Sequence, residues 1–282
     1  MRSPELAMTT DFGGNKVPAR PQLEKIAQAG FTHDMWCHGW NLSETYSRED
    51  MSTIKGMHEQ FGLKTVDVHG SIGEKREFLT PDKKLQDQGI ALVRNRMKLA
   101  AVLGSDTLVM HVPADKGWWI KGDVFWSSLD RALTKIAPDA KSLGVSIAFE
   151  NLEHKPNNFG TIQEILNRYP ASLVGLCYDS GHGNVQGNGL KDLEATKDRL
   201  TAVHLHDNAG KTDEHLQIFK GSNNWEETAR ILAKSSYQKP LSFESTIGNV
   251  MGMDHDDKQA LTRAYTAGIK LHSMVQNARN NT

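Results

Sequence analysis

The stretch FWSSLDRALTKIAPDAKSLGVSIAFEN, residues 125–151, contains a helical pattern followed directly by a strand pattern. Apolar residues recur at every third or fourth position in its first part, so they share one face of a helix: they are Leu129, Leu133, Ile136, Ala140 and Leu143. Pro138 lies within this pattern, and a proline inside a helix predicts a kink or a break near Ala137. The second part, VSIAFEN (145–151), is short, apolar and typical of a buried strand.

The same alternation of strand and helix repeats along the whole chain. Further helices are predicted over 81–104, with Pro81 early and Gly104 as its stop, and over roughly 256–277. Eight strands are predicted, at 5–12, 31–38, 64–70, 106–112, 145–151, 174–180, 201–207 and 240–246. Eight such units predict a single (β/α)8 TIM barrel domain over residues 1–282, because barrels of this kind take about 250 residues. A doubly wound sheet would favour GxGxxG after the first strand, where the chain reads FGGNKVP.

Composition and charge narrow the classes of function. The 33 lysines and arginines nearly cancel the 34 aspartates and glutamates, so the formal net charge of −1 gives no general attraction to nucleic acid or anionic membranes. No apolar run reaches the length of a signal peptide core or a membrane span. With only two cysteines, Cys37 and Cys177, we expect no disulfide framework. We therefore expect a cytoplasmic protein.

Acidic and imidazole side chains follow six consecutive predicted strands at their C-terminal ends. The active sites of TIM barrels form at this rim. Buried carboxylates are costly unless they are paired or bind a metal, so their convergence predicts a divalent cation between them. Oxygen and nitrogen ligands without sulfur suit Mn²⁺, Co²⁺, Zn²⁺ or Mg²⁺. The residues are His69, His111, Glu150, Asp179 with His182 after it, His206 and Glu244.

Four short strings resemble the xylose-isomerase-like TIM-barrel superfamily. They are FEN (149–151), CYDSGH (177–182), HLHD (204–207) followed by DEH (213–215), and SFES (242–245). That superfamily contains sugar isomerases and epimerases, inosose-type dehydratases and, as a more distant relative, endonuclease IV. The resemblance covers essentially the whole chain in order and spacing.

Resemblance to the ketose 3-epimerase branch implies one metal ion and two catalytic glutamates, Glu150 and Glu244. In that branch the two glutamates relay protons on opposite faces of the sugar, the metal polarises a carbonyl and hydroxyl pair, and an enediolate intermediate follows. His182 then corresponds to the branch's substrate-binding histidine. The implied metal ligands are Glu150, Asp179, His206 and Glu244. The chain is thus expected to be a metal-dependent isomerase or epimerase of a sugar or keto-sugar.

His204 and His206 face the same way in the seventh predicted strand, because side chains alternate along a strand. His206 is expected to be the ligand since it lies nearer the C-terminal end. His204, one layer deeper, is expected to be structural.

Other reactions stay open. A dehydratase or lyase acting on a keto-polyol or sugar derivative shares the first step, proton removal beside a polarised carbonyl. An endonuclease IV-like zinc phosphodiesterase on abasic DNA also fits, since Asp213 and His215 resemble its Asp-x-His pair where the epimerases carry an arginine, here Thr212. All nine ligands of its three zinc ions then have counterparts: His69, His111, Glu150, Asp179, His182, His206, Asp213, His215 and Glu244. A catalytically inactive sensor of a metabolite or metal is a further class.

We favour a single metal ion, with His69, His111, Asp213 and His215 around it as substrate-binding or outer residues. Binding a DNA backbone normally takes a positive surface, which this near-neutral chain does not offer as a whole. The expected partner is therefore a small-molecule sugar or polyol, without nucleic acid or membrane. Outer helices of such barrels often pair, so a homo-oligomer is also considered.

Aromatic residues after the fourth predicted strand favour a sugar ligand. The loop ADKGWWIKGDVFW (114–126) places Trp118 and Trp119 near the rim, where their faces would contact a sugar ring. Phe125 and Trp126 either extend this surface or pack the loop onto the next helix. Three residues of the second strand region would lengthen the same wall: Trp36, His38 and Trp40.

Overall fold

A computed structural model of the chain describes residues 3–13, 17–39, 44–71, 77–112, 122–153, 158–246 and 257–281. Each predicted strand is present within the predicted range or one residue from it. The strands are β1 Leu6–Thr9, β2 His33–Trp36, β3 Lys64–His69, β4 Thr107–His111, β5 Ser146–Glu150, β6 Val174–Asp179, β7 Leu200–His204 and β8 Leu241–Phe243. The helices are α1 Ala19–Gln28, α2 Arg48–Phe61, α3 Lys83–Leu103, α4 Asp123–Leu143, α5 Phe159–Arg168, α6 Ser180–Gln186, α7 Gly189–Thr196, α8 Trp225–Ala233 and α9 Asp257–Asn280.

The strands are parallel and follow one another in chain order around a ring, from β8 through β1 to β7. A bridge between Leu205 and Phe243 joins β7 to β8. Two backbone hydrogen bonds support it: the Leu205 amide donates to Ser242 at 2.9 Å, and the Glu244 amide donates to Leu205 at 3.1 Å. The prediction of a TIM barrel is therefore confirmed.

The helix ends follow the sequence signals for α3 but not the proline in α4. Asp82 accepts hydrogen bonds from the first amides of α3, and Gly104 ends that helix at φ 79°, where a side chain would be strained. The predicted break near Ala137 is wrong, since α4 continues through Pro138 to Leu143. Its apolar face is buried against the barrel, and this packing offsets the hydrogen bond that proline cannot make.

Small apolar side chains fill the interior of the barrel. Two groups of four lie there: Ala7, Met35, Cys37 and Val66, and then Val109, Ala148, Cys177 and Ala202. Both cysteines are buried and free, in line with the expectation of no disulfide framework. Among the described residues, no helix has the length and apolar content that crossing a membrane requires.

Candidate functional site

Ionisable side chains meet at one level of the C-terminal rim. The ladder pairs His111 with Glu150, and Asp179 with His204. Side chains alternate along a strand, so a residue two positions beyond an inward-facing residue also faces inward. These four follow the small interior residues by two positions: Val109, Ala148, Cys177 and Ala202. The sequence places them, therefore, directly above the apolar interior.

His204 lies at the centre of this level, between two glutamates. Its Nδ1 is 2.8 Å from Glu150 Oε1 and 2.9 Å from Glu244 Oε2. Asp179 completes the group, and the four residues each offer one ligand atom within 4.8 Å of the others. One imidazole and three carboxylates thus converge on a space of the size that a metal ion fills. We call this set the central group.

Burial and charge act in opposite directions on the central group. Burial alone would raise the pKa of Glu150, but His204, His111 and His69 hold that pKa well below its usual range. Burial would likewise raise the pKa of Glu244, and the positive charge of His204 lowers it to about 2. Burial would lower the pKa of His204, yet the surrounding negative groups raise it well above 6.5. A positive charge on His204 therefore offsets part of the negative charge of the two glutamates.

The structure places His204, and not His206, beside Glu150 and Glu244. His204, expected to be structural, belongs to the central group, whereas His206 follows the strand and contacts Asp179 Oδ2 through Nε2 at 3.0 Å. The strand ends at His204, two residues before the predicted end. A shift of two keeps both side chains facing inward, so alternation alone could not detect it. A register irregularity between Leu176 and Cys177 sets the depth of β7 against β6.

A second group lies beside the first. Asp213 Oδ2 is 2.8 Å from His215 Nε2 and 3.3 Å from His182 Nε2. The ring of His206 stacks on that of His215 at 4.0 Å between centroids, and the four residues could hold a metal ion. Burial would lower the pKa of His215, but its hydrogen bond to the Asp213 carboxylate raises that pKa to about 10. The predicted loop residues Asp213 and His215 are therefore at the rim.

A third group shares Glu150 with the first. Glu150 Oε2 lies 2.9 Å from His111 Nε2 and 3.6 Å from His69 Nε2, and the two imidazole nitrogens are 3.2 Å apart. These three residues also form a possible metal-binding set. All nine predicted ionisable residues are thus brought together, with His204 as a tenth.

Backbone carbonyl groups fix the orientation of three rim histidines. The Nδ1 of His69 donates to Gly70 O at 2.9 Å, that of His182 to Asn151 O at 2.8 Å, and that of His215 to Glu244 O at 2.7 Å. A carbonyl oxygen only accepts, so each Nδ1 carries a hydrogen and each Nε2 faces the rim. This arrangement is typical of histidines that bind metal. Two buried atoms, His206 Nδ1 and Asp213 Oδ1, have no hydrogen-bond partner among the described residues. The donor atoms therefore fit a divalent cation.

Two residues that the sequence analysis did not single out hold the rim in place. Asn151 donates to Asp179 O at 2.9 Å and accepts from the Asp179 amide at 2.8 Å, which joins the ends of β5 and β6. A Cβ atom at Gly181 would lie 1.9 Å from the His206 ring, so only glycine fits this position. Both residues lie within the strings that carry the resemblance, FEN and CYDSGH, which was the available signal.

The predicted aromatic wall is not formed by the residues that the structure describes. Trp118, Trp119 and Trp40 lie outside the described residues. Phe125 is buried in the core, and Trp126 packs against it and beneath the guanidinium of Arg168. Another expected member is buried in the core as well: Trp36, whose ring packs on His58. The packing alternative therefore holds for Phe125 and Trp126.

Known proteins resemble the chain over nearly its whole length. Residues 23–266 match the family model of the xylose isomerase-like TIM barrel. An uncharacterized protein of Sinorhizobium fredii, y4fM, is 28% identical and the match covers 93% of this chain and 91% of that one. A D-tagatose 3-epimerase-like protein has a similar structure, with a TM-score of 0.75, 18% identity and 98% of both chains covered. So does an L-ribulose 3-epimerase, with a TM-score of 0.75, 15% identity, and 99% of this chain and 96% of that one covered.

Proposed function

The chain belongs to the xylose isomerase-like TIM barrel family, and from that premise we propose that it is a divalent-metal-dependent isomerase or epimerase of a sugar or keto-sugar. The observation that carries the proposal is the central group, in which two glutamates lie 2.8 and 2.9 Å from one imidazole nitrogen. Three carboxylates around one imidazole carry an excess of negative charge in a buried place, which a divalent cation would balance.

The residues that would hold the ion are Glu150, Asp179, His204 and Glu244. Carboxylate and imidazole ligands suit Mn²⁺, Co²⁺, Mg²⁺ and Zn²⁺, and we take Mn²⁺ as the first ion to test. A divalent ion held there would supply Lewis acidity to the oxygen atoms of a bound sugar, which makes a neighbouring carbon-bound proton easier to remove.

Glu150 and Glu244 are proposed to move that proton. Both remain ionised near neutral pH, because His204 lowers their pKa values despite their burial. Each can accept a proton from carbon or return one, and they approach His204 from different strands, β5 and β8. Removal by one glutamate and return by the other on the opposite face would invert a carbon centre.

The side chains around the central group are proposed to bind the substrate. His182 and His215 present Nε2 towards the rim, and Asp213 lies between them, so together they offer donors and acceptors to hydroxyl groups. The names of two structural neighbours, a D-tagatose 3-epimerase-like protein and an L-ribulose 3-epimerase, support a sugar as the substrate class.

Deuterium exchange tests the proposal. A panel of ketoses and keto-polyols is incubated with the protein and Mn²⁺ in deuterated water, and the products are analysed by mass spectrometry and NMR. We expect deuterium at one carbon of a sugar, with the sugar's formula otherwise unchanged. Loss of water from the substrate would favour the dehydratase or lyase instead. Absence of exchange across the panel with the Mn²⁺ protein would contradict the proposal.

A second candidate function is supported by the two additional groups of metal ligands. His69 and His111 with Glu150, and His182 with Asp213 and His215, could each hold a further ion. Three zinc ions would suit a phosphodiesterase that acts on abasic DNA, through an activated water molecule. Metal analysis of the purified protein and a nicking assay on abasic DNA test this candidate. About three zinc ions per chain together with nicking would place it above the epimerase.

A further inference from the structure

Asp67 is a carboxylate inside the barrel that the proposed reaction does not use. It lies on β3, two residues before His69, and is 1% exposed. Neither of its carboxylate oxygens has a hydrogen-bond partner among the residues that the structure describes. A buried carboxylate without a hydrogen-bond partner destabilises the folded protein, which indicates that Asp67 serves a function.

A polar group of the central group lies close to Asp67. His204 Nε2 lies 3.5 Å from Asp67 Oδ1, while Nδ1 of the same ring faces Glu150 and Glu244. Cys177 also approaches the ring of His204, but a thiol is only a weak hydrogen-bond acceptor. The two nitrogens of His204 therefore face different partners: Nδ1 faces the rim and Nε2 faces a carboxylate in the barrel interior.

His204 is oriented in the opposite sense to the other rim histidines. In His69, His182 and His215 a backbone carbonyl binds Nδ1, and Nε2 faces the rim. In His204 it is Nδ1 that faces the rim, so a different acceptor has to hold the hydrogen on Nε2. Strand β7 ends at His204, and the next carbonyl group, that of Leu205, accepts from the Glu244 amide. Asp67 Oδ1, 3.5 Å from Nε2, is a carboxylate oxygen close enough to become that acceptor.

We propose that Asp67 is the positioning residue of His204: it accepts the Nε2 hydrogen and so directs the Nδ1 lone pair towards the cation between Glu150 and Glu244. The inference rests on the cation site of the proposed function. A metal-bound histidine whose second nitrogen donates to a carboxylate is held in one tautomer and one ring orientation. Loss of such a carboxylate typically lowers metal affinity about 10- to 100-fold.

The test is a titration of Mn²⁺, and separately of Co²⁺, into cation-free protein by calorimetry. We expect Asp67→Asn to bind Mn²⁺ about 10- to 100-fold more weakly than the parent protein, because a neutral amide is a weaker acceptor for the Nε2 hydrogen than a carboxylate. The visible absorption spectrum of bound Co²⁺ should also change, since the ring orientation alters the ligand field. Asp34→Asn is the matched control, because Asp34 is an equally buried carboxylate that contacts a different histidine, His58. It should leave both the affinity and the spectrum unchanged.

A double-mutant cycle separates positioning from simple attraction between Asp67 and the ion. If Asp67 acts through His204, adding Asp67→Asn to His204→Gln should weaken Mn²⁺ binding by less than about threefold. An equal loss in both backgrounds would overturn the proposal, as would unchanged binding by Asp67→Asn in a parent protein that binds Mn²⁺. If Asp67→Asn does not fold, Asp67→Ser takes its place with the same expected outcomes. A parent protein that binds none of the ions would overturn the proposed function itself, and this inference with it.

Discussion

Two buried contacts between histidine and carboxylate, one outside the barrel and one at its rim, differ in how their charges balance. Outside the barrel, His58 on α2 contacts Asp34 on β2 at 2.6 Å, and its Nδ1 donates to Ile54 O at 2.9 Å. Burial would lower the pKa of His58, but Asp34 raises it, so one positive charge meets one negative charge. The two charges of that pair balance each other, and the pair connects α2 to β2.

Around His204 at the rim, the numbers of imidazole and carboxylate groups are unequal. His204 lies between Glu150 and Glu244 with Asp67 behind it, so a single imidazole faces three carboxylates. Asp34 and His204 are both 0% exposed, so burial of these two residues does not distinguish the contacts. The difference teaches that an excess of buried acids over bases, rather than burial of an ion pair, indicates a cation site.

The largest expected effect comes from replacing the rim glutamates. Glu150→Gln and Glu244→Gln should each lower turnover of the sugar substrate at least about 100-fold, because an amide cannot accept the proton from carbon. Asp34→Asn, in the balanced pair, should retain turnover within about threefold. Steady-state assays with saturating Mn²⁺ measure these effects. Near-parental turnover in either glutamine variant would show that the proton-transfer roles are wrong.

The next effect concerns the two histidines. His204→Gln should lower Mn²⁺ affinity about 100-fold or more, because it removes a ligand of the central group. His58→Gln should leave Mn²⁺ affinity unchanged and instead lower the free energy of unfolding by about 3 kcal/mol, since it breaks a buried ion pair. Calorimetric titration and denaturant unfolding of both variants give the two quantities. Equal Mn²⁺ affinity of His204→Gln and the parent would contradict the claim that His204, unlike His58, binds the cation.

A smaller effect is expected from pH. With no cation bound, the neighbouring negative groups raise the pKa of His204 well above 6.5, so near neutral pH the ring holds a proton that an incoming cation has to displace. Mn²⁺ affinity should therefore fall as pH falls, by about tenfold per pH unit for each proton displaced. His58 keeps its proton when the cation binds, so His58→Gln should show the same slope. Titrations between about pH 6 and pH 8 measure it, and an affinity independent of pH would contradict the account.

The fold was predictable because its signals are local and repeated. Each strand has an apolar run of ordinary length, and patterns such as that of 125–143 identify the intervening helices. The carboxylates Glu150, Asp179 and Glu244 were found in the same way, because each follows such a run and TIM barrels place their sites there. The helix break predicted from Pro138 was wrong because the local effect of the proline is outweighed by the packing of α4 on the barrel.

The depth of each strand in the barrel was not predictable from the sequence. Alternation repeats every two residues, so it cannot distinguish His204 from His206 as the residue level with Glu150. The contact between His204 Nδ1 and Glu150 Oε1 decides this, and it depends on how the strands pack against one another. Asp67 was missed for a related reason: a single acidic residue in the strand KTVDVHG does not reveal which side chain it faces across the barrel.

Anomalous diffraction from crystals grown with Mn²⁺ tests the central claim most directly, since it locates the ion independently of activity. The account predicts a manganese peak bounded by Glu150, Asp179, His204 and Glu244, and none at the balanced pair of Asp34 and His58. A protein crystallised with Mn²⁺ that shows no peak within the central group would contradict it.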